Sequence, residues 1–246
     1  MKIYKKRNIN RRKVWLLFIL QVVFGSLPAV LLLFFVMNIA PNDSDSHVGA
    51  YISAAAIMLC AFAYIILGRK YNILLSGLKG EKSLIKTARH FKHSYDIFLN
   101  LPIRYKRNRS EIDMIMVGER GVVIVEVKNH SGVISGSDGD DTWCQSKHYR
   151  DGKNTEAEMK NPVKQVSRQR DILKNILRSQ GIDVWIDGVV CFSNPFVKLK
   201  LHLKNPNSNV CLGENELKEY IGEYRGPRTL KKSEIEKIRE ILTSLV

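Results

Sequence analysis

Asp113, Glu126 and Lys128 are the residues of this 246-residue chain whose types and spacing point to chemistry. They lie in two runs, Glu111-Ile112-Asp113-Met114-Ile115-Met116-Val117 and Val122-Val123-Ile124-Val125-Glu126-Val127-Lys128, joined by Gly118-Glu119-Arg120-Gly121. Val and Ile at this density favour buried strands, and the glycines mark a turn. Antiparallel pairing with Val117 opposite Val122 sets Asp113 across from Glu126 and Glu111 across from Lys128. Side chains alternate along a strand, so Asp113, Glu126 and Lys128 share one face. Opposed carboxylates lie with Cβ atoms about 4.5–5.5 Å apart and repel. A divalent cation held between them would turn that repulsion into a reason for the arrangement.

Two readings of these residues stand side by side. In the first, Asp113 and Glu126 hold Mg2+ (or Mn2+) for phosphodiester hydrolysis, where the cation neutralises phosphate and acidifies the attacking water. Lys128 would then orient or help deprotonate that water, or stabilise the developing charge. The Val127 carbonyl is a further ligand, and Glu81 can complete the acidic cluster from a flanking helix. In the second reading, Glu126 and Lys128 form a salt-bridge ladder with Glu111 and Asp113 on an exposed sheet face. Glu81 would then be a first-turn acid that complements its helix dipole.

The elements around these strands read as follows. Gly77-Leu78-Lys79-Gly80-Glu81 leads into a helix with Leu84, Ile85, Ala88 and Phe91 on its apolar face. Tyr95 to Tyr105 is a strand, or a strand pair broken near Pro102. Arg104, Lys106, Arg107 and Arg109 form a basic loop into the central hairpin, suited to phosphate contact; the alternatives are a solvated turn or a loop that touches anionic lipid, and closeness to the site favours nucleic acid over lipid. A second hairpin spans Val133 to Gln145, with Trp143 as an anchor. Asn161-Pro162 starts a helix to about Arg178, striped by Val166, Leu173, Ile176 and Leu177, with Gln165 and Gln169 beside the stripe. A buried strand covers 184–192, and Lys198, Lys200 and Lys204 form one face of another. Helices cover 212–221 and 233–245, the latter with a Ser233/Glu236 capping box. The expected class is α+β (mixed α/β), helices flanking one central, mostly antiparallel or mixed sheet. There is no internal repeat, P-loop, GxSxG or HExxH.

The net charge of +15 favours an anionic partner, nucleic acid or a lipid surface. The four cysteines form no CxxC pair, which argues against a zinc site or a disulfide framework and for a reducing compartment. Residues 1–13 hold seven cations and no acid. Uncharged runs at 14–39 and 48–67 then flank a segment, 40–47, with two acids and no Lys or Arg. Each run is about the 20 residues that a span needs. The first is longer than the roughly 7–15 residues of a signal peptide core. Positive-inside bias predicts two membrane spans in the cell membrane, with the N-terminus and the domain after residue 70 cytoplasmic. Residues 71–246 keep a charge of +8 of their own.

Gly80-Glu81 at a helix start, EIDMIMV, GERGVVIVEVKN, Trp143, Asn161-Pro162 with Gln165, and VVCFSN together resemble the NERD (nuclease-related) domain family. The resemblance spans 77–195, with 196–246 as a C-terminal strand and helices completing the domain. It implies a restriction-endonuclease-like PD-(D/E)XK core and a metal-dependent nuclease site. Asp113, Glu126 and Lys128 would be its D…ExK set, joined by Glu81, and Gln165 would be the glutamine of an NPxxQ helix. Met114 departs from the polar residue that many relatives carry there. The expected function is a membrane-anchored nuclease acting on DNA or RNA, without a small-molecule cofactor. The alternatives are a catalytically silent nucleic-acid-binding or scaffold module on the same fold, and a basic lipid-binding membrane protein.

Overall fold

A computed structural model describes residues 3–5, 9–38, 45–148 and 152–246; the side chains of Asn38 and Glu81 lie outside the described set. In chain order the elements are β1 (Ile3–Lys5), α1 (Ile9–Asn38), α2 (Asp45–Phe91), β2 (Asp96–Tyr105), β3 (Asn108–Gly118), β4 (Gly121–Lys128), β5 (Gly132–Ser137), β6 (Thr142–His148), β7 (Asn154–Lys160), α3 (Pro162–Ser179), β8 (Ile186–Phe192), β9 (Val197–His202), β10 (Asn209–Leu212), α4 (Gly213–Glu223) and α5 (Lys232–Ser244). They divide into two compact units, one of Asn8–Leu78 and one of Met1–Arg7 with Lys79–Val246.

The smaller unit is a pair of helices. Two stretches, Arg12–Leu33 and Tyr51–Phe91, are long and apolar enough to cross a membrane. The first helix starts at Ile9 and so takes in Arg11, Arg12 and Lys13, before the expected boundary at 14. Of the expected external loop at 40–47, residues 40–44 lie outside the described residues and Asp45–His47 open α2. Gln21 faces Gly68 and Gly25 faces Tyr64, where a Cβ on either glycine would come within 3.0–3.2 Å of the facing side chain. Phe18 meets Tyr71, its ring centroid 6.2 Å away. These pairs run in opposite directions along the two helices, so the helices are antiparallel. Small residues at the crossing let the backbones approach. The outer faces carry exposed Trp15, Leu33, Leu59 and Phe62.

The larger unit is a mixed α/β core with two sheets, where the sequence led us to expect one. Its first sheet has the order β1-β2-β3-β4-β8-β10, and its second β7-β6-β5-β9. The β3–β4 hairpin has the register expected, Val117↔Val122, closed by a two-residue turn between Gly118 and Gly121. β4 and β8 run parallel, as do β8 and β10, and β5 and β9. Strand β2 is unbroken at Pro102, which pairs with Glu111. Among the described residues β1 covers β2 only at Ile97–Leu99, so Pro102 has no described strand partner on that side. β7, unannounced by its polar sequence, closes the edge of the second sheet. α2 continues through Gly77 and Gly80 as one 47-residue helix. The α5 cap is Lys231, whose N–H donates to Glu234 Oε2 at 2.9 Å, not the Ser233/Glu236 box.

Two apolar layers clamp the first sheet. One joins Ile115, Val117, Val122 and Ile124 to Leu173 and Ile176 of α3 and Ile238 and Leu242 of α5. The other joins Met114, Met116, Val123 and Val125 to Leu84 and Ala88 of α2 and Leu217 and Ile221 of α4. Glycine fixes how closely α3 approaches: a Cβ on Gly188 of β8 would sit 2.3 Å from Val166 Cγ1.

Candidate active site

The site forms where β3 leaves β4. Their pairing extends from Gly118↔Gly121 to Met114↔Val125 and stops there. One residue on, the Val127 N–H donates to Asp113 Oδ2 at 2.8 Å rather than to a β3 carbonyl. On the other side of β3, Asn100 is the residue across from Asp113, between the pairs Leu99↔Met114 and Leu101↔Ile112. Asn100 has φ 55°, the left-handed region that costs an L residue energy. Alternation reverses at this point. Leu99 and Met114 pack in the α2 layer, whereas Leu101 and Ile112 pack in the α3 layer. The β2–β3 ribbon therefore twists at Asn100 and Asp113, and Asp113 leaves the regular ladder. The expected direct facing of Glu111 with Lys128 falls beyond the end of that ladder.

Strand β4 continues into the opening, held by β8 through Glu126↔Val190 and Lys128↔Phe192. Glu126 is buried and every bond it accepts is charged or amide-borne. Lys128 Nζ donates to Glu126 Oε1 at 2.7 Å, and Gln165 Nε2 donates to the same oxygen at 2.7 Å. Lys128 Nζ also donates to Gln165 Oε1 at 2.9 Å, closing a three-residue ring. Gln169 Nε2 donates to Glu126 Oε2 and to the Glu111 carbonyl, both at 2.8 Å. Both of those partners are acceptors, so the amide nitrogen must face them. Gln169 Oε1 is left as a buried acceptor with no donor among the described residues.

Helix α3 presents both glutamines because its start is fixed. Asn161 Oδ1 accepts from the Val163 and Lys164 N–H groups, and its Nδ2 donates to the Ser137, Asp138 and Asp140 carbonyls. One side chain thus ties the helix to the β5–β6 turn. Trp143 anchors that turn, donating to the Ser137 carbonyl at 2.7 Å and lying parallel to Phe192 at 6.4 Å between centroids.

Burial, and after it the charge of Glu126, push the Asp113 carboxyl up to about 8. The Val127 N–H and Lys128 act in the opposite direction. A hard cation would remove the cause. The donors gathered here are carboxylate and amide oxygens, the type that magnesium prefers, and magnesium needs only one or two carboxylates when it keeps its waters. Gln169 Oε1 is an acceptor that suits such a water. Among the described residues no group of three or more His, Cys, Asp and Glu could hold a metal. Asp113 and Glu126 supply the two carboxylates with which such a cation can be held.

Of the residues singled out from sequence, Asp113, Glu126, Lys128 and Gln165 come together. The Glu81 side chain lies outside the described residues; its neighbour Gly80 lies against Val127 Cγ1, where a Cβ would be 3.1 Å away. The basic loop is a tight β2–β3 hairpin, with Arg104 paired to Arg109 and Tyr105 to Asn108. Lys106 (φ 54°) and Arg107 are its exposed tip. Arg109 alone of the four lines a 590 Å³ cavity, which it shares with Gln165, Lys160, Lys164 and Arg168. Gln169, which the sequence places beside the apolar stripe one turn after Gln165, joins the same network. Lys164 and Arg168 carry no signal in the sequence beyond a four-residue spacing that puts them on one side of the helix.

Residues 76–193 match the family model described as the nuclease-related domain, NERD. No curated protein matches the chain. Among solved structures, protein VC1899 from Vibrio cholerae is 13% identical with a TM-score of 0.30, and the match covers 85% of this chain and 52% of that one. The chain thus spans about half the length of that protein.

Proposed function

We propose that the chain, whose residues 76–193 match the nuclease-related domain model, is a metal-dependent nuclease that hydrolyses phosphodiester bonds of DNA or RNA at a membrane face. The observation that carries this is the Glu126 carboxylate, buried and held by Lys128, Gln165 and Gln169, beside an Asp113 freed from its ladder. Asp113 and Glu126 would hold Mg2+ or Mn2+, with Glu81 as a further candidate ligand. The bound cation supplies charge neutralisation at the phosphate and a more acidic water.

The protein's own groups do the rest. Lys128, whose Nζ donates to Glu126 Oε1, would offer its ammonium to the water or the developing charge. Gln165 bonds both Glu126 and Lys128, so it fixes their separation. Gln169 keeps the second Glu126 oxygen from rotating away. Arg109, Lys160, Lys164 and Arg168, in the cavity that Gln165 also lines, attract the phosphate backbone.

Two features support anchoring in a membrane with both ends on one side. The apolar helices have exposed outer faces. β1, which precedes α1, pairs with β2, which follows α2, so the chain leaves and re-enters the same unit. That agrees with the cytoplasmic placement of both cationic flanks.

A second reading, binding without cleavage, is favoured by the fact that both Glu126 oxygens are already bonded within the protein. Incubating the purified full-length chain with plasmid and single-stranded DNA or RNA, with Mg2+, Mn2+ or chelator, separates the two. The proposal expects cleavage with metal that chelator stops. Salt-sensitive binding with no cleavage under any condition would favour the second reading.

A further inference from the structure

The 590 Å³ cavity beside Gln165 and a second of 330 Å³ are neighbours that share Lys164 and Arg168 in their walls. Both volumes are in the range of ligand sites. Their chemistry differs. The first is basic: Arg109, Lys160, Lys164 and Arg168 oppose one acid, Asp141, which already accepts from Lys164 Nζ at 2.6 Å. The second adds a ring, an aliphatic wall, two amides, a hydroxyl and an acid, in Tyr105, Ile172, Asn108, Asn175, Ser167 and Asp171. Gln165, which donates to Glu126, lines the basic hollow and not the second one.

We propose that these two hollows bind one nucleotide of a single-stranded nucleic acid next to the scissile bond, its phosphate in the basic hollow and its unpaired base against Tyr105. This rests on the nuclease reading of the Glu126 site. An aromatic face accepts any base, and the neighbouring amides can donate to or accept from its edge. A base inside a duplex is stacked on both sides and cannot enter a side hollow without leaving the helix. The Lys106 ammonium, 5.6 Å from the Tyr105 ring centroid, adds a cation beside that ring. Arg168 donates to the Arg109 carbonyl at 2.7 Å, which holds the hairpin against α3 and gives both hollows a firm wall.

The test is fluorescence anisotropy of a labelled 12-nucleotide strand, and of the same sequence as a blunt duplex. It uses the full-length protein in nanodiscs of zwitterionic lipid, with chelator present so that no cleavage intervenes. The single strand should bind at least tenfold more tightly than the duplex. Tyr105→Ala should weaken single-strand binding about tenfold and leave the duplex unchanged, whereas Tyr105→Trp should retain tight binding. Arg168→Gln should reduce the salt slope for the single strand by about 0.7. Equal affinity for both forms, or a Tyr105→Trp variant that folds but binds as weakly as Tyr105→Ala, would overturn the proposal. So would competition by vesicles of anionic phospholipid that Tyr105→Ala also weakens, since the occupant would then be a lipid headgroup. Any of these outcomes leaves the metal-dependent cleavage assay to stand or fall separately.

Discussion

Gln169 Nε2 bridges Glu126 Oε2 on β4 and the Glu111 carbonyl on β3, 2.8 Å from each. It takes the place that a strand-to-strand hydrogen bond would occupy and so holds the two strands apart where the site opens. Replacing Gln169 with Leu removes the amide that donates to the buried Glu126 Oε2. The expected cost is about 1–3 kcal/mol for that unsatisfied group. It can be read as a lower urea midpoint of the buried Trp143 fluorescence, with metal affinity falling at the same time.

Lys128 is the cation that balances Glu126 before a metal arrives. Their side chains are 18% and 5% exposed, so solvent screens the pair little. Lys128→Met should destabilise the metal-free protein by about 3–5 kcal/mol, because a buried carboxylate loses its counter-charge. Millimolar Mg2+ should return a larger share of stability to this variant than it adds to the wild type. Thermal unfolding followed with and without Mg2+ checks both statements. Equal Mg2+ shifts in the two proteins would argue that the cation sits elsewhere.

The raised Asp113 carboxyl predicts a pH dependence with a definite sign. Its folded value, about 8, exceeds the usual carboxylate value, so between the two the folded protein binds more protons than the unfolded chain. Stability without metal should therefore fall as pH rises from about 4 to about 8 through this group. Metal competes with the same proton, so Mg2+ affinity should rise over that interval, and the Mg2+-induced gain in melting temperature should grow with it. Asp113→Asn should flatten both dependences. A stabilisation by Mg2+ that is independent of pH in the wild type would contradict the assignment of Asp113 as a ligand.

Gly188 sets the height of α3 above the sheet. In Gly188→Ala the new methyl carbon would meet Val166 Cγ1 at 2.3 Å, and the helix must lift. The expected cost is about 1–3 kcal/mol of overpacking. Gln165 and Gln169 ride on the same helix, so metal affinity should drop as well. Gly188→Ala combined with Val166→Ala should recover stability and affinity together. Equal metal binding in the single variant and the wild type would show that α3 does not position the carboxylate.

The central hairpin was legible because alternating Val and Ile, bounded by Gly118 and Gly121, admit one register. Its termination at Met114 was not, because it depends on Asn100 in another strand and on Gln169 in a distant helix. The parallel neighbour β8 was legible as a buried strand but not in direction, since a strand buried on both faces reads the same either way. β7, Asn154–Lys160, has almost every side chain exposed and so no hydrophobic period to read. Gly77 and Gly80 suggested a break in α2. The helix continues because Gly80 is the point of close approach to Val127, where a larger side chain would not fit. Asp113, Glu126 and Lys128 stand out by residue type and spacing, and Gln165 by its likeness to an NPxxQ helix. Lys164 and Arg168 do not, and Gln169 shows only its place beside the stripe, because polar residues on a helix acquire meaning only from what the helix is packed against.

Initial cleavage rates of wild type, Glu126→Ala and Lys128→Ala, on one single-stranded substrate at saturating Mg2+, test the nuclease assignment most directly. Removing a metal ligand, or the ammonium that acts on the water or the developing charge, should lower the rate about 10²–10⁴-fold in each variant. Substrate binding in chelator should stay within about threefold of wild type, since the basic hollow is untouched. Wild-type rates in both variants would contradict the assignment of Glu126 and Lys128 to catalysis.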